Sequence, residues 1–113
     1  GALLRASVRI GAIYAGADEA QLAALSRYGE HIGLAFQIVD DLLDVEESSE
    51  ALGKTAGKDA AQQKLTFPAV YGIEESHRMA EAELRGALAA LEPFGERAVR
   101  LKELAEFIVR RRS

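Results

Sequence analysis

From residue 19 to residue 47 the chain carries one uninterrupted helical period. Leu22, Leu25, Ile32, Phe36, Val39 and Leu43 fall at helical spacing, the stripe that an α-helix lays along one of its faces. A helix of that length is more than twice the usual ~11–12 residues. A fold arranged around it buries its stripe against other helices. The remaining segments agree. Leu4, Val8, Gly11 and Ala15 share a face over 2–16. Ala80, Leu84, Ala87, Leu88 and Leu91 point inward over 75–91. Leu101, Leu104, Ala105 and Ile108 do so over 96–111. No segment alternates apolar and polar residues as a half-buried strand would, so the expected fold class is all-α. Asp18 is the expected N-cap of the long helix. Ser48, Ser49, Gly53 and Gly57 make 48–64 read as a loop. Thr66 caps a short helix with Pro68 in its first turn, Gly72 ends it, and Glu92-Pro93-Phe94-Gly95 is a turn.

A chain of 113 residues is one small domain, able to bury roughly two-thirds of its unfolded surface. It has no cysteine, which excludes disulfides and thiolate metal sites and fits a cytoplasmic protein. The net charge of -4 argues against nucleic acid as a partner. No apolar run approaches the ~20 residues of a membrane span. The start, Gly1-Ala2-Leu3-Leu4-Arg5, has no basic leader and lies already inside a helical pattern. The expectation is a fragment whose parent begins well upstream.

The stretch Ile32 to Val45 carries the chemistry. At about 100° per residue, Asp40, Asp41 and Asp44 lie within about 60° of Gln37, and Gly33 lies beside them. Apart from these, every residue from 32 to 45 is apolar. A helix apolar nearly all round is a buried one, so the strip is expected to face an internal cavity. Three aspartates so close repel one another by about 0.2–0.5 kcal/mol per pair even when exposed. Near a helix C-terminus the macrodipole adds ~0.3–1 kcal/mol. Nothing local offsets this, and a divalent cation would. Mg²⁺ accepts one or two carboxylates with water and substrate phosphates. A solvated acidic face at a helix end is the competing reading. The loop that follows favours the metal. Gly53-Lys54-Thr55-Ala56-Gly57-Lys58-Asp59 and Lys64-Leu65-Thr66 offer close backbone approach and ammonium charges for phosphate. The loop lacks the spacing and the preceding strand of a P-loop.

Phe36-Gln37-Ile38-Val39-Asp40-Asp41-Leu42-Leu43-Asp44 resembles the FQxxDDxxD second aspartate-rich motif of the trans-isoprenyl diphosphate synthases. Gly53-Lys54 through Gly57 and Asp59 is similar to the GKxxGxD segment that follows it, and Lys64 with Thr66 to the next K-x-T element. The opening residues resemble the helix after the family's Lys-Thr pair, and Phe107-Ile108-Val109-Arg110-Arg111 the closing helix. The bacterial farnesyl or geranylgeranyl diphosphate synthases look most similar. The resemblance implies the C-terminal helices of the isoprenoid-synthase helical bundle, with 1–113 as part of a single domain, and a homodimer. It implies a Mg²⁺-dependent condensation of an allylic diphosphate with isopentenyl diphosphate. It also implies metal binding by Asp40, Asp41 and Asp44. Lys54 would contact the allylic diphosphate, with Lys64 and Asp59 near the same group. Gln37 would lie at the reacting centre and Phe36 beside the homoallylic substrate.

The family's first aspartate-rich motif, the arginines after it and the Lys-Thr pair do not occur in these 113 residues. The fragment alone is therefore expected to be inactive. Two other classes stay in view. One is a helical scaffold or partner subunit carrying a relic strip, and the other is a terpene cyclase, which the GKxxGxD loop disfavours. His31, His77, Met79 and the tyrosines read as packing or surface, and Arg5 with Arg9 as a solvated face. Arg110 to Arg112 suit a helix C-terminus, with a role near the homoallylic diphosphate as the alternative.

Overall fold

The computed structural model describes residues 5–6, 11, 16–52 and 65–111, with backbone alone for 48–52. Among these it is helical, with no strand. Helix α1 spans Glu19–Leu52, α2 Phe67–Tyr71, α3 Ile73–Ala90 and α4 Val99–Arg110. A 3₁₀ segment over Glu92–Ala98 joins α3 to α4. Of the described residues in the expected first helix, Arg5, Ala6 and Gly11 are helical, whereas Gly16 is a turn at φ 81.

Helix α1 opens with a reciprocal cap. The Gln21 amide donates to Asp18 Oδ1 at 2.8 Å, and the Asp18 amide donates to Gln21 Oε1 at 3.0 Å. Two otherwise orphaned N–H groups are satisfied this way. The helix then runs five residues past its expected end at 47. The reason is local: Glu50, Ala51 and Leu52 favour helix, and two serines carry too small a penalty to stop propagation. At 34 residues and about 1.5 Å per residue, α1 accounts for the long dimension of a molecule measuring 53 × 21 × 20 Å.

Helix α3 is the main packing partner of α1. Tyr28, Ile32 and Ala35 of α1 meet Leu84, Ala87 and Leu91, and Ala98, Ala105 and Ile108 close the same cluster. A second cluster, Ile38, Val39, Leu42 and Ala80, lies further along α1 and carries Met79 at its margin. Each packed aliphatic side chain stabilises by roughly 1.5–3 kcal/mol. Two inward assignments fail: Phe36 and Leu104 are 44% and 42% exposed. Both lie at the edge of a stripe, where among the described residues no apolar side chain of the core clusters is packed against them.

Thr66 caps α2 as expected, its Oγ1 accepting from the Ala69 amide at 3.2 Å. Gly72 stops α2 at φ 87 and precedes α3 directly, so α3 begins at Ile73 rather than 75. Ser76, fully buried, donates its hydroxyl to the Gly72 carbonyl at 2.7 Å. The expected turn at 92–95 is longer than four residues. The Leu91 and Phe94 amides bond three residues back, at 3.1 and 3.0 Å. Gly95 adopts φ 58, ψ -134, which glycine reaches without a Cβ penalty. The chain reverses there, and α4 starts at Val99 rather than 96.

Candidate functional site

Gln37, Asp40, Asp41 and Asp44 fall on one face of α1. With Leu43, Glu47, Thr66 and Arg111 they line a cleft of about 480 Å³. The expected grouping of the aspartates thus exists, but its surroundings differ. The strip opens to solvent rather than into an internal cavity, with the Asp40 side chain 54% exposed. Leu34 and Phe36 are also exposed, so this part of α1 is not apolar-covered all round. Gly33 is buried. The expected helix-end penalty does not fall on the aspartates either. Asp44 stands more than two turns before Leu52, outside the last turn where the macrodipole acts.

Each aspartate has a distinct setting. Asp41 is half-buried, and both of its oxygens accept hydrogen bonds. Gln37 Nε2 donates to Oδ1 at 2.9 Å, and the Phe67 amide donates to Oδ2 at 3.2 Å. The Phe67 amide opens a helix and has no partner inside it, so Asp41 fixes the start of α2 against α1. Asp40 pairs with Arg111, whose Nη2 lies 3.3 Å from Oδ1. The same guanidinium sits 4.6 Å over the Phe36 ring. Its Nη2 also reaches the Phe36 carbonyl at 3.4 Å, and its Nε donates to the Ile108 carbonyl at 3.1 Å. No cation local in sequence offsets the aspartate repulsion, but Arg111 does so from the far end of the chain. Asp44 is exposed on the rim and takes part in interactions of its own.

Gln37 joins the aspartates in the cleft, whereas Phe36 lies behind Arg111 and is not part of the lining. Lys54, Asp59 and Lys64 lie outside the described residues. Glu47 and Arg111 were not read from the sequence as cleft residues. Glu47 was detectable, three residues beyond Asp44 on the same face. The arginine run Arg110 to Arg112 was visible, but a contact across 71 residues leaves no mark in local periodicity. Leu43 and Arg111 also wall a second cavity of about 300 Å³, floored by Val39, Leu42, Ala80 and Val109. Arg110 pairs instead with Glu81 at 2.6 Å.

Among the described residues no three His, Cys, Asp or Glu side chains converge into a metal cage. The donor set is nonetheless one of hard oxygens. A carboxylate offers about four lone-pair sites, so Asp40 and Asp41 keep acceptor capacity beyond their present bonds. Such a set fits a cation like Mg²⁺, which takes one or two carboxylates and completes its shell with water and phosphate oxygens.

An all-helical chain with an acidic strip opening on one cleft is what the fold and the site define. The sequence model of the polyprenyl synthetase family matches residues 1–105, and the chain belongs to that family. It is 49% identical over 98% of its length to a dimethylallyltranstransferase of Fischerella ambigua, covering 32% of that protein. It is 46% identical over 98% of its length to a geranylgeranyl diphosphate synthase of Cyanophora paradoxa, covering 37% of it. A probable farnesyl diphosphate synthase of Bradyrhizobium diazoefficiens is 47% identical over 94% of the chain, which covers 33% of that protein. The chain thus spans about a third of the length of these curated relatives.

Proposed function

We propose that the full-length protein is a Mg²⁺-dependent prenyltransferase that condenses an allylic diphosphate with isopentenyl diphosphate in isoprenoid biosynthesis. The observation that carries this reading is the gathering of Asp40, Asp41 and Asp44 along one open cleft of α1, in a chain whose relatives bear prenyltransferase names. Asp40 and Asp44 present oxygens to the cation, while Asp41 divides its oxygens between that task and the anchor of α2. When bound, Mg²⁺ supplies Lewis-acid charge to the diphosphate oxygens. Lys54 and Lys64 balance the charge that develops as the allylic C–O bond breaks and its electron pair goes to diphosphate. The double bond of isopentenyl diphosphate then forms the new C–C bond, and a proton leaves the adjacent carbon. Gln37 orients the reacting ends, Phe36 packs by the homoallylic substrate, and Asp59 supports the diphosphate loop. The roles of Lys54, Asp59 and Lys64 rest on the motif resemblance. The active protein is a homodimer, and the 113 residues alone do not turn over.

Full-length protein, supplied with Mg²⁺, geranyl diphosphate and isopentenyl diphosphate, is expected to release pyrophosphate and form a longer prenyl diphosphate. Asp40→Ala is expected to lower kcat by about 10²–10³, the scale of one lost electrostatic contact to the transition state. Mg²⁺ with a diphosphate analogue raises the wild-type melting temperature, and Asp40→Ala abolishes the rise. Wild-type protein that shows neither turnover nor a thermal shift is instead a helical partner subunit.

A further inference from the structure

Arg111 makes four contacts of unequal quality. Its Nε–Ile108 bond is 3.1 Å and its guanidinium carbon sits 4.6 Å over the centre of the Phe36 ring. These hold the stem and plane of the side chain. Its contact with Asp40 is a single one at 3.3 Å, longer than the ~2.7–2.9 Å of a well-formed charge-assisted bond. It is also not the two-pronged pairing that arginine makes with carboxylate when both are fixed. Asp40 is far more exposed than Arg111, 54% against 22%, so it faces the cleft while the guanidinium sits at its wall. The two Nη2 contacts, 3.3 Å to Asp40 and 3.4 Å to the Phe36 carbonyl, are thus the loose ones, and the Asp40 contact is the one that a cleft ligand reaches first. Among the described residues that line the cleft, Arg111 is the sole base beside Asp40, Asp41, Asp44 and Glu47.

We propose that Arg111 is the resident counter-ion of this cleft and a positioning residue for diphosphate. It neutralises Asp40 when the cleft is empty, and swings to a diphosphate oxygen when a cation takes Asp40. The inference rests on the functional reading given above. A cation on Asp40 repels the guanidinium, since both cannot hold one carboxylate oxygen without facing each other across a few ångströms. The diphosphate that accompanies the cation attracts both charges. The exchange needs only a short slide of the guanidinium over the Phe36 ring, which brings Nη2 from Asp40 to the diphosphate oxygen while the Ile108 carbonyl keeps Nε in place. Bare cation and Arg111 thus compete, whereas cation–diphosphate and Arg111 cooperate.

The opposite signs give the test. Calorimetric titration of full-length protein compares Mg²⁺ alone with inorganic pyrophosphate at saturating Mg²⁺, in wild type, Arg111→Gln, Arg111→Lys and Asp40→Ala. Arg111→Gln is expected to bind Mg²⁺ alone several-fold more tightly. It should bind pyrophosphate about tenfold more weakly, the scale of one lost bond to a charged group. Arg111→Lys keeps the charge and recovers much of the pyrophosphate affinity, which also controls for disturbance of the helix end. The proposal is overturned if Arg111→Gln leaves both affinities unchanged or moves them in the same direction. In that case, loss of pyrophosphate binding in Asp40→Ala would leave the functional reading standing. If wild type does not bind Mg²⁺–pyrophosphate, or Asp40→Ala binds it equally well, the functional reading falls and this inference with it.

Discussion

Tyr28 lies wholly inside the core and donates its hydroxyl to the Leu101 carbonyl at 2.9 Å. Burial pushes its pKa up from 10.0 to about 12, because a phenolate there would be charged and unsolvated. The stabilisation is fully present below pH 10, where folded and unfolded tyrosine are both neutral. It is lost as the pH rises towards 12, where the unfolded chain sheds the proton first. Tyr28→Phe should cost about 1 kcal/mol at pH 7 and much less at pH 11, as read by urea unfolding at the two pH values. An unchanged difference between the pH values would show that the hydroxyl does not titrate with folding. At this scale the aspartates were legible in the sequence, because three like charges in little more than one turn are a local anomaly. Arg111 was not, because its partners Phe36 and Asp40 are separated from it by most of the chain. Phe36 was misread for a related reason: periodicity says which face a residue is on, not what covers that face.

Helix α1 passes close to the backbone of the N-terminal segment at Gly29. A Cβ placed there would lie 2.8 Å from the Arg5 Cα, and a backbone atom cannot rotate aside. Alanine would gain up to ~1 kcal/mol of helix propensity over glycine. The overlap should cost ~1–3 kcal/mol by forcing the helices apart. Gly29→Ala is therefore expected to destabilise the protein and weaken the Arg5–Glu30 pair, which stands at 2.8 Å. A higher melting temperature would sink the argument. Elements were legible where a side chain signals a boundary, as at Asp18, Thr66 and Gly72. They were misjudged where propensity is flat. Nothing between Asp44 and Leu52 stops a helix once it is running, and the seven residues after Leu91 form 3₁₀ turns whose spacing differs little from that of a loop.

Across the whole molecule, α1 and α4 leave large apolar side chains uncovered: Leu34 and Phe36 on one, Leu104 and Phe107 on the other. Phe107 is 66% exposed. Surfaces of this kind associate unless rimmed by charge. The 113 residues expressed alone should form dimers or larger species at micromolar concentration, and Phe107→Lys should shift them towards monomer in sedimentation velocity. A monomeric wild type would refute this.

The length of α1 has a consequence for insertions and deletions. Tyr28 and Ile32 set the rotation of the helix in the core, and Asp40 to Asp44 inherit that rotation along a continuous rod. One residue added or removed between Ile32 and Ile38 would turn the strip by about 100°, carrying the aspartates off the cleft and Ile38 and Val39 out of their cluster. A residue added near Gly95, where the chain already reverses, would disturb only a connection. Length variation should therefore be tolerated between α3 and α4 and excluded from the rod, whatever residues are substituted along it.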